Sequence, residues 1–185
     1  MEIEEYIVAG DSRLLQLAAD GDQQAFEHLF MRYREAISRL FETRIGDKGI
    51  TDDLVQETFI KVYLHLERYS EEYTFGQWIY TIARNTLVDY LRRRTDDISI
   101  DQTNKAPIAT TPTPEESVIL NQRRAHFEAS LEALSDDYRR IIEMRYLEEY
   151  SYEEIAERLG RPLNTVKTQI RRAKALVCKM ILDNE

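Results

Sequence analysis

Asn164, Thr165, Lys167, Thr168, Arg171 and Arg172 carry the chemistry that reads double-stranded DNA. A guanidinium bonds both acceptors of guanine, a carboxamide matches adenine, and lysine and threonine reach phosphate oxygens. At about 100° per residue, Asn164, Thr168, Arg171 and Arg172 fall on one side of a helix. Thr165, Lys167 and Lys174 flank them, and Val166, Ile170, Ala173 and Val177 fall opposite. From Arg161 to Leu182 there is no acid, while Arg161, Lys167, Arg171, Arg172, Lys174 and Lys179 are basic. A solvated cationic helix face is the plain alternative to a DNA reader.

The element that positions this face lies just upstream. Ser151 and Glu154 have the spacing of a capping box, in which hydroxyl and carboxylate each satisfy an orphan amide of the first turn. Tyr152, Ile155, Ala156 and Leu159 recur at helical spacing, Gly160 supplies a left-handed stop, and Pro162 suits the opening turn of the next helix. A capped helix, a Gly-x-Pro turn and a basic second helix predict a helix-turn-helix.

Two further stretches carry candidate chemistry. Thr51-Asp52-Asp53 opens a helix with Leu54, Val55, Thr58, Phe59, Val62 and Leu66 inside and Asp52, Asp53, Gln56, Glu57 and Lys61 outside. That outer face is either ordinary solvated surface or an acidic and amide docking face for a basic partner. After a polar loop at Tyr69–Thr74, the helix Phe75–Arg94 is apolar on two sides. Phe75, Trp78, Ile79, Ile82 and Thr86 line one, and Tyr80, Leu87, Val88 and Leu91 lie largely opposite. Such a helix is buried on both sides, or offers aromatics on which unpaired bases stack, with Arg92, Arg93 and Arg94 for phosphates.

Composition sets the frame. The chain has 185 residues, 43% of them hydrophobic, and a net charge of −9. That charge argues against a protein that coats DNA by electrostatics alone. Local basic patches on an acidic body suit DNA affinity completed by a partner. No apolar run approaches the roughly 20 residues of a membrane span, and the acidic N-terminus lacks a secretory layout. A single cysteine, Cys178, sits among Val177, Met180 and Ile181 as a small buried hydrophobe. The expectation is a cytoplasmic protein with no metal, no cofactor and no catalytic residues: the histidines are scattered and no nucleophile–base pair or phosphate-binding loop is visible.

The organisation is all-α. Residues 1–11 read as a tail. Residues 12–94 hold a helical domain, whose early helices break at Asp20-Gly21-Asp22 and turn at Gly46 and Gly49. Residues 95–114 carry Pro107, Pro112 and Pro114, three of the four prolines, and read as a linker. Residues 115–182 form a second helical domain, with a helix to Leu134, another capped by Ser135-Asp136-Asp137, and the helix-turn-helix.

In order along the chain, GDQQAFEHLFMRY, TDDLVQETFIKVYLHLERY, TFGQWIYTIARNTLVDYLRRR and LEALSDDYRRIIEMRYLEEYSYEEIAERLGRPLNTVKTQIRRAKALV resemble regions 2 and 4 of bacterial sigma factors of the sigma-70 family. The short two-domain form is similar to that of the extracytoplasmic-function (ECF) group. The resemblance implies a dissociable initiation factor that binds core RNA polymerase and directs promoter-specific transcription in response to a stress or envelope signal. It implies docking on the β′ clamp helices through Asp52, Asp53, Gln56, Glu57 and Ile60, and a contact with the β flap. It implies melting and base capture at the −10 element near Tyr69, Trp78 and Asn85, with Arg92 and Arg93 beside them, and −35 reading by Asn164, Thr165, Lys167, Thr168, Arg171 and Arg172. An anti-sigma factor is a further implied partner. The linker, with Asp96, Asp97 and Asp101, would thread the polymerase. Asn164, Thr168, Gln169 and Arg171 depart from the family's usual residues, as does Ser135, so the promoter sequence does not carry over. The competing reading is a stand-alone helix-turn-helix regulator that is not a polymerase subunit.

Overall fold

The computed structural model describes residues 3–69, 72–94, 127–129 and 131–182, and among these no strand occurs. The expected linker and most of the helix ending near Leu134 lie outside the described residues. The helices are α1 (Ile3–Val8), α2 (Asp11–Ala19), α3 (Gln23–Ile45), α4 (Lys48–Leu64), α5 (Phe75–Arg94), α6 (Asp136–Ile142), α7 (Tyr152–Leu159) and α8 (Leu163–Leu182). A 3₁₀ turn, Leu66–Arg68, follows α4, and a π-helical turn, Glu143–Leu147, follows α6.

The first domain is α1 to α5. Asp22 caps α3 by accepting from the Ala25 amide, and Gly46, at φ 70°, ends it in the left-handed region that glycine enters without Cβ strain. Phe26, Leu29, Ile37 and Phe41 of α3 share a buried core with Leu54, Val55, Phe59 and Val62 of α4 and Phe75, Ile79 and Ala83 of α5. Each of the larger of these side chains contributes about 2 kcal/mol by leaving water. Two expectations are corrected here. Helix α4 begins at Lys48, because Asp47 accepts from the Ile50 amide at 3.0 Å and caps a turn earlier than Thr51, which is itself buried. On the second side of α5, left open between burial and a ligand face, Leu87 joins the core while Tyr80 and Val88 are exposed. Residues 3–8 form a helix instead of a tail: Tyr6 is buried, stacks on His28 and donates to Asp22 at 2.7 Å.

The second domain has a small core of its own, formed by Ile141, Met144, Ile155, Val166 and Ile170. Ser135 precedes α6 in extended backbone but makes no side-chain capping bond; Arg139 instead ties the preceding turn by donating to the carbonyls of Leu131 and Glu132. The π-helical turn, closed by the Glu148 amide on the Glu143 carbonyl, runs into Glu149 at φ 60°.

The two domains are packed together. Ala173, Val177 and Ile181 of α8, with Ile142, Leu131 and Phe127, join the same apolar cluster as α3 and α4. Gln23 donates to the carbonyls of Met180 and Ile181, at 2.8 Å each, and satisfies acceptors that the end of α8 leaves open. No helix among the described residues is long and apolar enough to cross a membrane.

Candidate nucleic-acid and docking interfaces

The helix-turn-helix forms as its sequence dictates. Ser151 accepts from the Glu154 amide at 3.1 Å while Glu154 accepts from the Ser151 amide at 2.8 Å. Those bonds hold the Glu154 carboxyl below its usual range. Gly160, at φ 59°, ends α7. The Pro162 carbonyl accepts from Thr165 and Val166 and opens α8. Val166, Ile170, Ala173 and Val177 are fully buried. Asn164, Thr165, Lys167, Thr168, Arg171 and Arg172 are all exposed and stand together on the outward face. Gln169 lies at its edge, fixed by Arg161, which also pairs with Asp137 at 2.8 Å. What remains exposed is a row of amide, hydroxyl and cationic groups, the inventory a major-groove helix needs, with the Thr168 hydroxyl donating to the Asn164 carbonyl at 2.9 Å.

A second cluster forms at the start of α5. Thr74 accepts from the Gln77 amide and Gln77 accepts from the Thr74 amide, a reciprocal cap that fixes the helix start. The half-buried Tyr69 ring meets Trp78 and Phe75 edge-on, with centroids 5.7 and 6.0 Å apart, and its hydroxyl donates to the Tyr73 carbonyl at 2.7 Å. Trp78, Asn85 and Arg92 follow at steps of seven, so they share one face of α5. Arg92 is exposed and pairs with Asp89. Arg93 does not join this row. Its guanidinium lies over the Tyr152 ring, 4.9 Å from the centroid, and 4.0 Å from Glu57.

The expected docking face of α4 is divided. Asp52 is exposed and Gln56 and Asp53 are partly so, but Glu57 and Ile60 are each only 1% exposed. Glu57 was expected outside. It is buried because α8 lies across α4 and brings Lys174, expected on a flank and here 0% exposed, onto its carboxylate. Lys174 Nζ donates to Glu57 Oε2 at 3.1 Å and to Asp53 Oδ2 at 2.7 Å. Lys61 at 3.2 Å and Arg145 at 3.5 Å complete the surround of Glu57. Arg145 reaches it from the π-helical turn and is also held by the Tyr150 carbonyl and the Tyr152 ring. Burial pushes the Glu57 carboxyl up, but Lys174, Lys61, Arg145 and Arg93 outweigh it and hold the group well below the carboxylate range. Burial likewise opposes the Lys174 charge, and Glu57 and Asp53 more than restore it. A buried carboxylate is tolerable when it is paired and hydrogen-bonded in this way.

Beside the cluster, a cavity of about 190 Å³ opens between the domains, lined by Lys61, Leu64, His65, Arg145, Tyr146 and Glu149. Burial, reinforced by Arg68 and Lys61, brings the His65 ring down to about 4.

Models of sigma-70 region 2 and sigma-70 region 4 match residues 29–96 and 125–177. The chain is 32% identical over 176 residues to the ECF RNA polymerase sigma-E factor of Haemophilus influenzae, covering 90% of this chain and 93% of that protein. This chain belongs to the ECF group of the sigma-70 family. It is also 29% identical over 172 residues to the ECF RNA polymerase sigma factor SigW of Bacillus subtilis, covering 88% and 92% of the two. Among solved structures it is similar to CnrH in complex with the cytosolic domain of CnrY, with 24% identity, coverage of 90% and 94%, and a TM-score of 0.42.

In this sigma factor the first described domain therefore corresponds to region 2 and the second to region 4. Sequence reasoning missed Lys174, Arg145 and Gln23 as the residues that join them. Lys174 carried one signal: on the wheel it lies nearer the buried stripe than Arg171 does, and a long basic side chain there needs an acidic partner.

Proposed function

We propose that this sigma factor docks on core RNA polymerase through the α4 face and then grips a promoter at two points. Asp52, Asp53, Gln56, Glu57 and Ile60 form the docking set on the β′ clamp helices, with region 4 against the β flap. Asn164, Thr165, Lys167, Thr168, Arg171 and Arg172 read the −35 element in the major groove. Tyr69, Trp78, Asn85 and Arg92 accept the melted −10 strand by stacking and phosphate contact, and Arg93 joins them once it leaves Tyr152. The sigma factor supplies recognition and strand opening in the cytoplasm, the polymerase supplies the catalysis, and no cofactor is needed. By family resemblance, an anti-sigma factor that releases it on an envelope or stress signal is a further partner.

The observation that carries this reading is the exposed, acid-free row from Asn164 to Arg172 on a capped helix-turn-helix, in a chain that also bears region 2. The test is run-off transcription with core polymerase and a library of promoter fragments. Factor-dependent transcripts are expected. Tight operator binding by the free protein with no transcripts would favour a stand-alone regulator instead.

A further inference from the structure

The cavity between region 2 and region 4 is walled by polar groups whose bonding is incomplete. Lys61 and Leu64 of α4, with His65 at its end, form one wall. Arg145 and Tyr146 of the π-helical turn form the other, with the exposed Glu149 beside them. Three of these residues bury a polar atom that no group among the described residues meets: His65 Nδ1, Arg145 Nε and the Tyr146 hydroxyl. A buried donor without an acceptor loses its water and gains nothing in return, so such atoms are rare and point to an occupant.

The unmet groups are donors. Arg145 Nε and the Tyr146 hydroxyl each carry a proton. Burial, with Arg68 and Lys61, keeps the His65 ring neutral, with its pKa down to about 4, and one tautomer of a neutral ring places the proton on Nδ1. Lys61 spends one ammonium donor on Thr86 at 3.2 Å and another on Glu57 at 3.2 Å, which leaves a third. The charge agrees: next to the cavity, four cations, Lys61, Arg145, Lys174 and Arg93, meet two carboxylates, Glu57 and Asp53. Such a site calls for an anion.

The donors also select its shape. The Arg145 fork is spent, with Nη1 on the Tyr150 carbonyl at 3.1 Å and Nη2 on Glu57 at 3.5 Å. What is left is single donors from four residues on two walls, not the paired fork that grips a planar carboxylate. Separate donors suit a tetrahedral oxyanion, whose oxygens point apart. The volume of about 190 Å³ exceeds the roughly 150 Å³ that holds a benzene and falls short of the roughly 300 Å³ where drug-sized pockets begin, so a nucleotide is too large. Glu149 further disfavours a chain of phosphates by like charge.

We propose that this cavity binds a phosphate group, free or as a small phosphomonoester, through Lys61, His65, Arg145 and Tyr146. Both domains bond the ligand, so its binding stabilises their junction by mass action. The site is separate from the outward row that reads DNA.

The full chain is titrated with inorganic phosphate and, separately, with glycerol 3-phosphate, followed by calorimetry and thermal unfolding. Saturable binding at one site per chain is expected, with Tm raised by roughly 5 °C once ligand exceeds Kd about a hundredfold. Tyr146→Phe keeps the ring and removes the hydroxyl, and Lys61→Gln removes the ammonium; each is expected to weaken binding roughly tenfold. Arg171→Ala, on the outward face, is expected to leave phosphate affinity unchanged. Tighter binding of glycerol 3-phosphate identifies a phosphomonoester as the ligand, and equal or weaker binding identifies the free ion. Absence of saturable binding by wild type overturns the site, as does unchanged affinity in either cavity variant that keeps the wild-type fold. Malonate binding as tightly as phosphate overturns the tetrahedral selection. A loss confined to Arg171→Ala places the ion on the DNA-reading row and overturns the site as well.

Discussion

The outward face of α8 and the outer face of α4 begin as equals, each a polar row opposite a buried stripe on an amphipathic helix. In the folded chain they part. Asn164, Thr165, Lys167, Thr168, Arg171 and Arg172 stay in solvent, whereas Glu57 of α4 is enclosed by Lys174, Lys61, Arg145 and Arg93. The difference teaches that a polar face is free only if no other part of the chain carries its complement. The α8 row is basic, and among the described residues no acidic side chain pairs with Lys167, Arg171 or Arg172. The α4 row is acidic, and the inner edge of α8 offers it an ammonium.

The sharpest way to break the comparison is to destroy the stripe that keeps the α8 row outward. Ile170→Asp buries an unpaired carboxylate in the second domain's core and is expected to cost about 4 kcal/mol. Thermal unfolding of the full chain should show the second domain melting early, with −35 binding lost; an unchanged melting curve would refute the packing described here.

Acid separates the two faces next. The His65 pKa falls from 6.5 to about 4 in the folded chain. The stability it supports is complete above pH 6.5 and is lost as pH falls towards 4, up to about 3 kcal/mol in all. The groups around it are Lys61 and Arg68 on its own side and Arg145, Tyr146 and Glu149 across the cavity. Denaturant midpoints between pH 7 and pH 4 should fall steeply for wild type and less for His65→Asn. The α8 row has no histidine and should add nothing to that slope.

Arg171→Ala tests the exposed side alone. It is expected to weaken −35-dependent initiation by about 1–3 kcal/mol and to leave core binding intact, measured by run-off transcription beside a core-binding titration. An equal fall in both would erase the division between the faces. The smallest effect belongs to Ser151→Ala, which removes one side of the capping box and should lower stability by about 1 kcal/mol in a denaturant titration.

Much of the fold was legible because it is local. Ser151, Glu154, Gly160 and Pro162 act within a few residues of one another, and the capped helix, left-handed stop and second helix follow from them. Phe26, Leu29, Ile37 and Phe41 announce the buried face of α3 by spacing alone. The α4 start is not legible to the turn, because Thr51 and Asp52 look as good a cap as Asp47. Helix α1 is not legible at all, because six residues leave too short a period to detect.

By itself the sequence determined the helices, their inward stripes, the helix-turn-helix and the family. Only the tertiary structure decided which polar faces stay free. Lys174 meets Asp53 and Glu57 from 121 and 117 positions away. Periodicity says which residues share a face of a helix but carries nothing about what covers that face. Coverage depends on long-range packing, and here that packing buries an ion cluster on the surface expected to receive the polymerase.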